Sequence, residues 1–226
     1  MQERVKLRGI QRVIRKNMEL AHQIPRVTTI REVRMDKVRD KRNELKSKYP
    51  DKKISYLTFA ITGLIKAIKN CKTLNARLEE DEVVIDDDIN ISLAITVGED
   101  LVTPVIKHAQ SLSFIELNDS IIELTNRARN KELTSEDFKG GTITITNSGS
   151  LGGEIFTPMI NYPQSAILGI GKINEKPIVD ENKEIVACPM MYLCLTYDHR
   201  IINGSQAVGS LGVIEDFFMN PEVEWG

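Results

Sequence analysis

Apolar residues recur at helical spacing between about Leu7 and His22, where Ile10, Val13, Ile14 and Met18 share one face. Pro25 stops that run, and from Val27 to Met35 the pattern (Val27, Thr29, Ile30, Val33) fits a strand. Asp36 can cap a second helix reaching about Lys48, since a carboxylate suits a helix N-terminus, and Tyr49, Pro50 and Asp51 break it. A third helix is expected from Ser55 to Cys71, with Leu57, Ala60, Ile61, Leu64, Ile65 and Ile68 on a broad apolar face. That face is too apolar for a lone surface helix and is expected to pack on a sheet.

A strand-rich stretch follows. Val83–Ile85 is short, Ile89–Val97 points Ile91, Leu93 and Ile95 one way, and a turn at Gly98, Glu99 and Asp100 returns the chain as Leu101–Ile106. Ser113 is placed to cap a helix carrying Leu117, Ile121, Ile122 and Leu124 towards Arg129. The β-branched run Thr142–Thr146, introduced by Gly140 and Gly141, reads as a strand, as do Ala166–Ile170 and Met191–Tyr197. A last helix is predicted from about Ser205 to Met219, with Ala207, Val208, Leu211 and Ile214 inward. Helices and strands interleave along the whole length, with neither a Ser/Pro/Gly-rich linker nor an internal repeat. The expectation is one α/β domain, residues 1–226, built on a mixed sheet flanked by helices.

Composition narrows the function classes. With 41% hydrophobic and 27% charged residues, the 226-residue chain is an ordinary globular one and can bury a large core. A net charge of -2 gives no basic footprint for nucleic acid, and no apolar run reaches membrane-spanning length. The first thirty residues lack the apolar centre of a secretory signal. Cys71, Cys188 and Cys194 form no C-x-x-C pair and lie near no histidine at ligand spacing, so no metal site is expected. Their odd count and scatter favour reduced thiols in a cytoplasmic compartment, with Cys188 and Cys194 as packing residues.

Three histidines are present. His22 ends a helix and His108 follows a strand, where structural or surface roles are the simpler reading. His199 sits where an apolar strand ends in a charged cluster and a helix soon starts, in Leu195-Thr196-Tyr197-Asp198-His199-Arg200-Ile201-Ile202-Asn203-Gly204. A histidine so placed can project into a cleft, and its near-neutral titration suits proton transfer. By residue type alone this signal is weak, because strand-end histidines are more often structural.

The match extends well past one residue. Asp198-His199-Arg200-x-x-Asn203-Gly204 resembles the D-H-R-x-x-D-G signature of the 2-oxo acid dehydrogenase acyltransferases. Four more regions resemble the same family in the same order. They are Ile10-Gln11-Arg12-Val13-Ile14 with Ile24-Pro25-Arg26-Val27-Thr28, Leu74-Asn75-Ala76 with Asp88-Ile89-Asn90-Ile91, Leu101-Val102-Thr103-Pro104-Val105-Ile106, and Gly140-Gly141-Thr142-Ile143-Thr144-Ile145-Thr146-Asn147 with Ala166-Ile167-Leu168-Gly169. The resemblance covers nearly the whole chain. It implies the two-layer fold of chloramphenicol acetyltransferase, a homotrimeric building block with active sites between subunits, and acyl transfer between dihydrolipoamide and coenzyme A. His199 maps onto the general base that takes the thiol proton. Thr146 maps onto the hydroxyl that stabilises the tetrahedral oxyanion. On residue type alone Thr146 is better explained as a strand-end threonine of high β propensity; the resemblance reverses that preference.

Asn147, Ser148 and Gly149 follow Thr146 and are candidates to line the coenzyme A arm. For Gly149, Gly152 and Gly153, close backbone approach to a ligand and a tight turn explain the glycines equally well. Asn203 stands where the resemblance has an aspartate paired with arginine. It keeps a carbonyl acceptor and loses the charge. Arg12 is a candidate arginine, and Gln11 with Asn203 could form a compensated neutral pair. The lipoyl group is expected from a separate domain or chain, since the sequence carries no lipoyl or subunit-binding domain. The expected partners are lipoyl domains, dehydrogenase components and further copies in a cubic or dodecahedral core. Two other readings fit the same fold: a catalytically weak trimeric assembly scaffold, and a stand-alone coenzyme A-dependent acyltransferase with another small acceptor.

Overall fold

The change from helical to alternating spacing at Pro25 is a true element boundary. In the computed structural model, which describes residues 2–7, 9–98 and 100–223, α1 spans Ile10–His22 and β1 spans Arg26–Arg34. Then come α2 (Asp36–Lys48), α3 (Tyr56–Asn70), β2 (Ala76–Glu79), β3 (Glu82–Ile85), β4 (Ile91–Val97), β5 (Asp100–Val102) and β6 (Val105–Ile106). The remainder is α4 (Phe114–Arg129), β7 (Ile143–Asn147), β8 (Ala166–Ile170), β9 (Asn174–Val179), β10 (Ile185–Asp198) and α5 (Gly204–Met219).

Most boundaries have a local cause. Ser55 precedes α3 and its hydroxyl accepts from the Leu57 N–H, while Ser113 and Glu116 form a capping box at α4. Asp36 is the first residue of α2 rather than its cap, a place held by Met35. The single returning strand expected over Leu101–Ile106 is two pieces, because Pro104 has no N–H to donate. β5 pairs with the far end of β4 and β6 with its start. Glu99, expected in the turn before β5, lies outside the described residues. Two hairpins add β2 and β9, strands that hydrophobic spacing did not announce, against the expected β3 and β10.

The main sheet runs β1-β10-β8-β7-β4-β5, with β6 also on β4 and β9 also on β10. β4, β7 and β8 are parallel, and β10 runs antiparallel between β8 and β1. Alternation sorts the strand residues onto two faces. One face carries Leu93, Ile145, Leu168 and Leu193 into the core beneath α3, α4 and α5. At the centre, α3 crosses α5 closely: a Cβ on Gly63 would sit 3.0 Å from Ile214 Cγ2. Each large side chain fully buried there, such as Phe59 or Leu64, stabilises the fold by about 1.5–3 kcal/mol. The other face carries Ser92, Ala94, Thr144, Thr146, Ile167, Gly169, Cys194 and Thr196. Its cover is thinner, with a small apolar cluster of Ile24, Ile160 and Ile167 and an Asn17–Asn161 side-chain bond of 2.6 Å tying α1 to the loop before β8.

Candidate active site

The turn that presents His199 is held from both sides. Asp198, 2% exposed, ends β10, and the Ser165 carbonyl accepts its N–H at 2.8 Å. Its carboxylate takes a forked pair from Arg200, with Nη2 to Oδ2 at 2.6 Å and Nε to Oδ1 at 2.9 Å. That pairing, opposed by partial burial, raises the Arg200 pKa above its ordinary value. Asp198 Oδ1 also accepts the Arg200 N–H, and the Asp198 carbonyl accepts from Ile201 and Ile202, which closes the turn. The His199 N–H donates 2.9 Å to the Pro25 carbonyl, and its ring leans on that of buried Tyr197, 5.9 Å between centroids at 35°. The backbone is thus fixed while the imidazole is exposed.

Asn203 is the N-cap of α5. Its carbonyl oxygen accepts from the Gln206 N–H at 3.0 Å and the Ser205 hydroxyl at 2.6 Å, and Gln206 Oε1 accepts the Asn203 N–H in return. These partners lie on the helix that Asn203 caps. Arg12 Nε donates to the Leu7 carbonyl.

Thr146 occupies the C-terminal end of β7, half-buried between Ala94 on β4 and Gly169 on β8. The residues after it are packed by the chain itself. Asn147 Oδ1 accepts the Gly149 N–H at 2.9 Å, and a Cβ on Gly149 would lie 2.5 Å from the Gly171 carbonyl oxygen. Ser148 Oγ is buried without a hydrogen-bond partner. Gly152 adopts φ +91°, a left-handed turn position. The tight turn therefore accounts for these glycines without a ligand. Beyond it, Leu151 and Ile155 are 76% and 52% exposed.

His199 and Thr146 do not meet within one chain. β10 runs antiparallel to β8 and β7 runs parallel to it, so the two strands end on opposite edges of the sheet. Thr146 is level with Gly169 and Cys194, and His199 lies five residues beyond Cys194 and two strands away. At a rise of about 3.3 Å and a strand spacing of about 4.8 Å, their Cα atoms are on the order of 19 Å apart. Sequence order places both residues correctly on strand ends but hides this separation, which is a property of strand direction.

The family model for "2-oxoacid dehydrogenases acyltransferase (catalytic domain)" matches residues 1–224. The chain belongs to this acyltransferase family. The dihydrolipoyllysine-residue acetyltransferase component of the pyruvate dehydrogenase complex of Staphylococcus epidermidis is 40% identical over 206 residues, covering 89% of the chain and 47% of that protein. The chain thus spans about half the length of the curated relatives it matches. A probable dihydrolipoamide acetyltransferase from Listeria monocytogenes superposes with a TM-score of 0.92 at 30% identity, over 100% of this chain and 99% of that one. The Azotobacter vinelandii dihydrolipoamide acetyltransferase gives 0.91 at 25%, over 98% and 93%. The latter was studied for the role in its catalytic mechanism of a serine, a histidine and an asparagine four positions after the histidine. The cubic core of a pyruvate dehydrogenase multienzyme complex also gives 0.91, at 26% identity over 98% and 93%. Chloramphenicol acetyltransferase shares the fold at a TM-score of 0.58 and 16% identity, over 90% and 94%, as the sequence led us to expect.

Asparagine four positions after a histidine therefore occurs in another member of the family. Asn203 keeps that spacing from His199, and the charge expected there is not a requirement of the fold. Pro25 and Ser165 were missed as supports of the His199 turn because both act through backbone carbonyls, which residue type does not announce. Among the described residues, no group of three His, Cys, Asp or Glu side chains could hold a metal ion, and no helix is long and apolar enough to cross a membrane.

Proposed function

We propose that this chain transfers an acyl group between dihydrolipoamide and coenzyme A at sites formed between copies of itself. The observation that carries this reading is the anchored His199 turn, followed at the spacing found in the Azotobacter protein by an asparagine that caps α5. His199, as neutral imidazole, takes the proton from the attacking thiol. The thiolate sulfur bonds to the thioester carbonyl carbon, the oxyanion of the tetrahedral intermediate accepts from the Thr146 hydroxyl, and the former carbon–sulfur bond breaks. The imidazolium returns its proton to the departing thiolate, so one thioester and one thiol become another thioester and thiol. A positioned base contributes roughly 10²–10⁴ in rate, and an oxyanion donor about 3 kcal/mol.

Asn203 supports the His199 segment as the cap of α5. Asn147, Ser148 and Gly149 line the approach of the coenzyme A arm. The separation of His199 from Thr146 calls for a partner copy, and a homotrimer satisfies it by pairing the His199 edge of one protomer with the Thr146 edge of the next. Residues 1–226 form the catalytic domain. The lipoyl group comes from a separate domain or chain, and the trimers build a larger core that binds lipoyl domains and dehydrogenase components.

Acyl exchange from acetyl-coenzyme A to dihydrolipoamide by the purified chain tests the proposal directly. Turnover that disappears in His199→Ala supports it. A folded oligomer inactive with every short-chain donor would be a scaffold, and turnover only with a different acceptor would identify a stand-alone enzyme; either result overturns the proposal.

A further inference from the structure

Across the open face of the sheet, one rung carries only small residues on four adjacent strands. Cys194 on β10 pairs with Gly169 on β8, which pairs with Thr146 on β7, and Ala94 on β4 flanks Thr146 on its other side. The gap left by Gly169 is filled by the ring of Phe156. A Cβ on Gly169 would lie 2.6 Å from Phe156 Cζ and 3.1 Å from Cε2, so only glycine lets the ring rest there. Registered residues on neighbouring strands project to the same face, which makes the Phe156 ring the lateral neighbour of the Thr146 side chain.

Phe156 is held in place on several sides. Its backbone N–H lies near the Cys194 thiol, which burial holds above its ordinary pKa and that N–H partly lowers. Two residues earlier, the Glu154 carbonyl oxygen lies where a Cβ of Gly171 would fall, at 2.0 Å, and the Gly153 carbonyl accepts the Lys172 N–H at 2.8 Å. Glu154 Oε1 accepts from Asn174 at 2.6 Å. The segment therefore follows β8 and the start of β9 closely, and the ring is a fixed wall rather than a loose flap. Neither hydrophobic spacing nor any motif marks it, because a lone phenylalanine in a loop carries no periodic signal.

We propose that Phe156, seated on Gly169, is the specificity-determining wall that limits the size of the acyl group transferred. This rests on the acyl-transfer reading above, in which Thr146 faces the carbonyl oxygen. A carbonyl carbon whose oxygen is held by the Thr146 hydroxyl has its acyl substituent flanked by the Phe156 ring on one side and Ala94 on the other. Thr146 and Gly169 are register partners on adjacent strands about 4.8 Å apart, so a substituent held at the Thr146 hydroxyl meets the ring before it can extend towards β8. The preferred substrate class is thus the two-carbon acyl thioester. Truncating the ring opens the site towards branched or longer groups. A difference of a few carbons in an apolar pocket is worth about tenfold or more in kcat/KM.

The test compares acetyl-coenzyme A with isobutyryl-coenzyme A as donors to dihydrolipoamide, using the wild-type chain, Phe156→Leu and Phe156→Ala. The leucine variant keeps an apolar cover on Gly169 should alanine fail to fold. The expected result is a wild-type preference for acetyl and an isobutyryl-to-acetyl ratio of kcat/KM that rises about tenfold or more, with leucine between wild type and alanine. Equal losses for both donors would make Phe156 a packing residue only. A change confined to the KM for dihydrolipoamide would place the ring on the acceptor path. Either outcome overturns the inference while leaving the acyl-transfer reading intact, whereas a wild-type chain inactive with both donors removes the reading and the inference together.

Discussion

The two faces of the main sheet use the same strands for different ends. On the covered face, Ile91, Leu93, Ile143, Ile145, Leu168, Leu193 and Leu195 are large, buried and packed beneath helices. On the open face the same strands carry Ser92, Ala94, Thr144, Thr146, Gly169, Cys194 and Thr196, most of them small or hydroxylated. The first face is built to exclude water and hold the fold. The second gives up apolar volume, and Gly169 on it leaves room for the Phe156 ring on the strand next to Thr146. Buried polar groups on it are satisfied internally: Gln164 accepts from Thr144 at 2.5 Å and donates to the Gly141 carbonyl at 3.0 Å. Under the proposed mechanism, function and stability are separated by a single residue step along each strand.

Substitutions can break this contrast. His199→Ala, at an exposed turn, is expected to lower kcat by about 10²–10⁴ and leave the thermal midpoint unchanged; a matching loss of stability would mean that the turn is structural. Leu193→Ala on the covered face should cost about 2–5 kcal/mol in denaturant unfolding, with the activity of the folded fraction intact. Thr146→Ala, on the opposite face of the neighbouring part of the sheet, should do the reverse: about 10²–10³ lost in kcat with a small change in unfolding free energy. The smallest effect belongs to the helix that follows the histidine. Asn203→Ala removes the cap of α5 and should cost about 1 kcal/mol, whereas Asn203→Asp, an equally good cap, should keep both stability and turnover. If aspartate abolished activity while preserving stability, the neutral amide itself would be needed in the site.

Much of this arrangement could be read from residue patterns. The apolar face of α3, the capping serine at residue 113, β8 and α5 lie where the spacing predicted them, because each is dictated by local chemistry. The strands at Ala76–Glu79 and Asn174–Val179 were not foreseen, since one is four residues long and the other alternates half-buried and exposed positions. The division at Pro104 was legible in principle from the missing N–H. His199 and Thr146 were singled out by motif. Their separation depends on strand direction, Phe156 depends on a glycine two strands from β1, and the partners of Asn203 depend on where α5 begins. None of these is a property of spacing along the chain.

The central claim is that one chain cannot complete the site, because its His199 and Thr146 edges face apart. Co-folding equal amounts of His199→Ala and Thr146→Ala, each inactive alone, tests it most directly. If His199 of one protomer works with Thr146 of the next, random mixing restores an intact pair at about a quarter of the interfaces. The account predicts recovery of about a quarter of wild-type activity. Mixed oligomers no more active than either parent would contradict it.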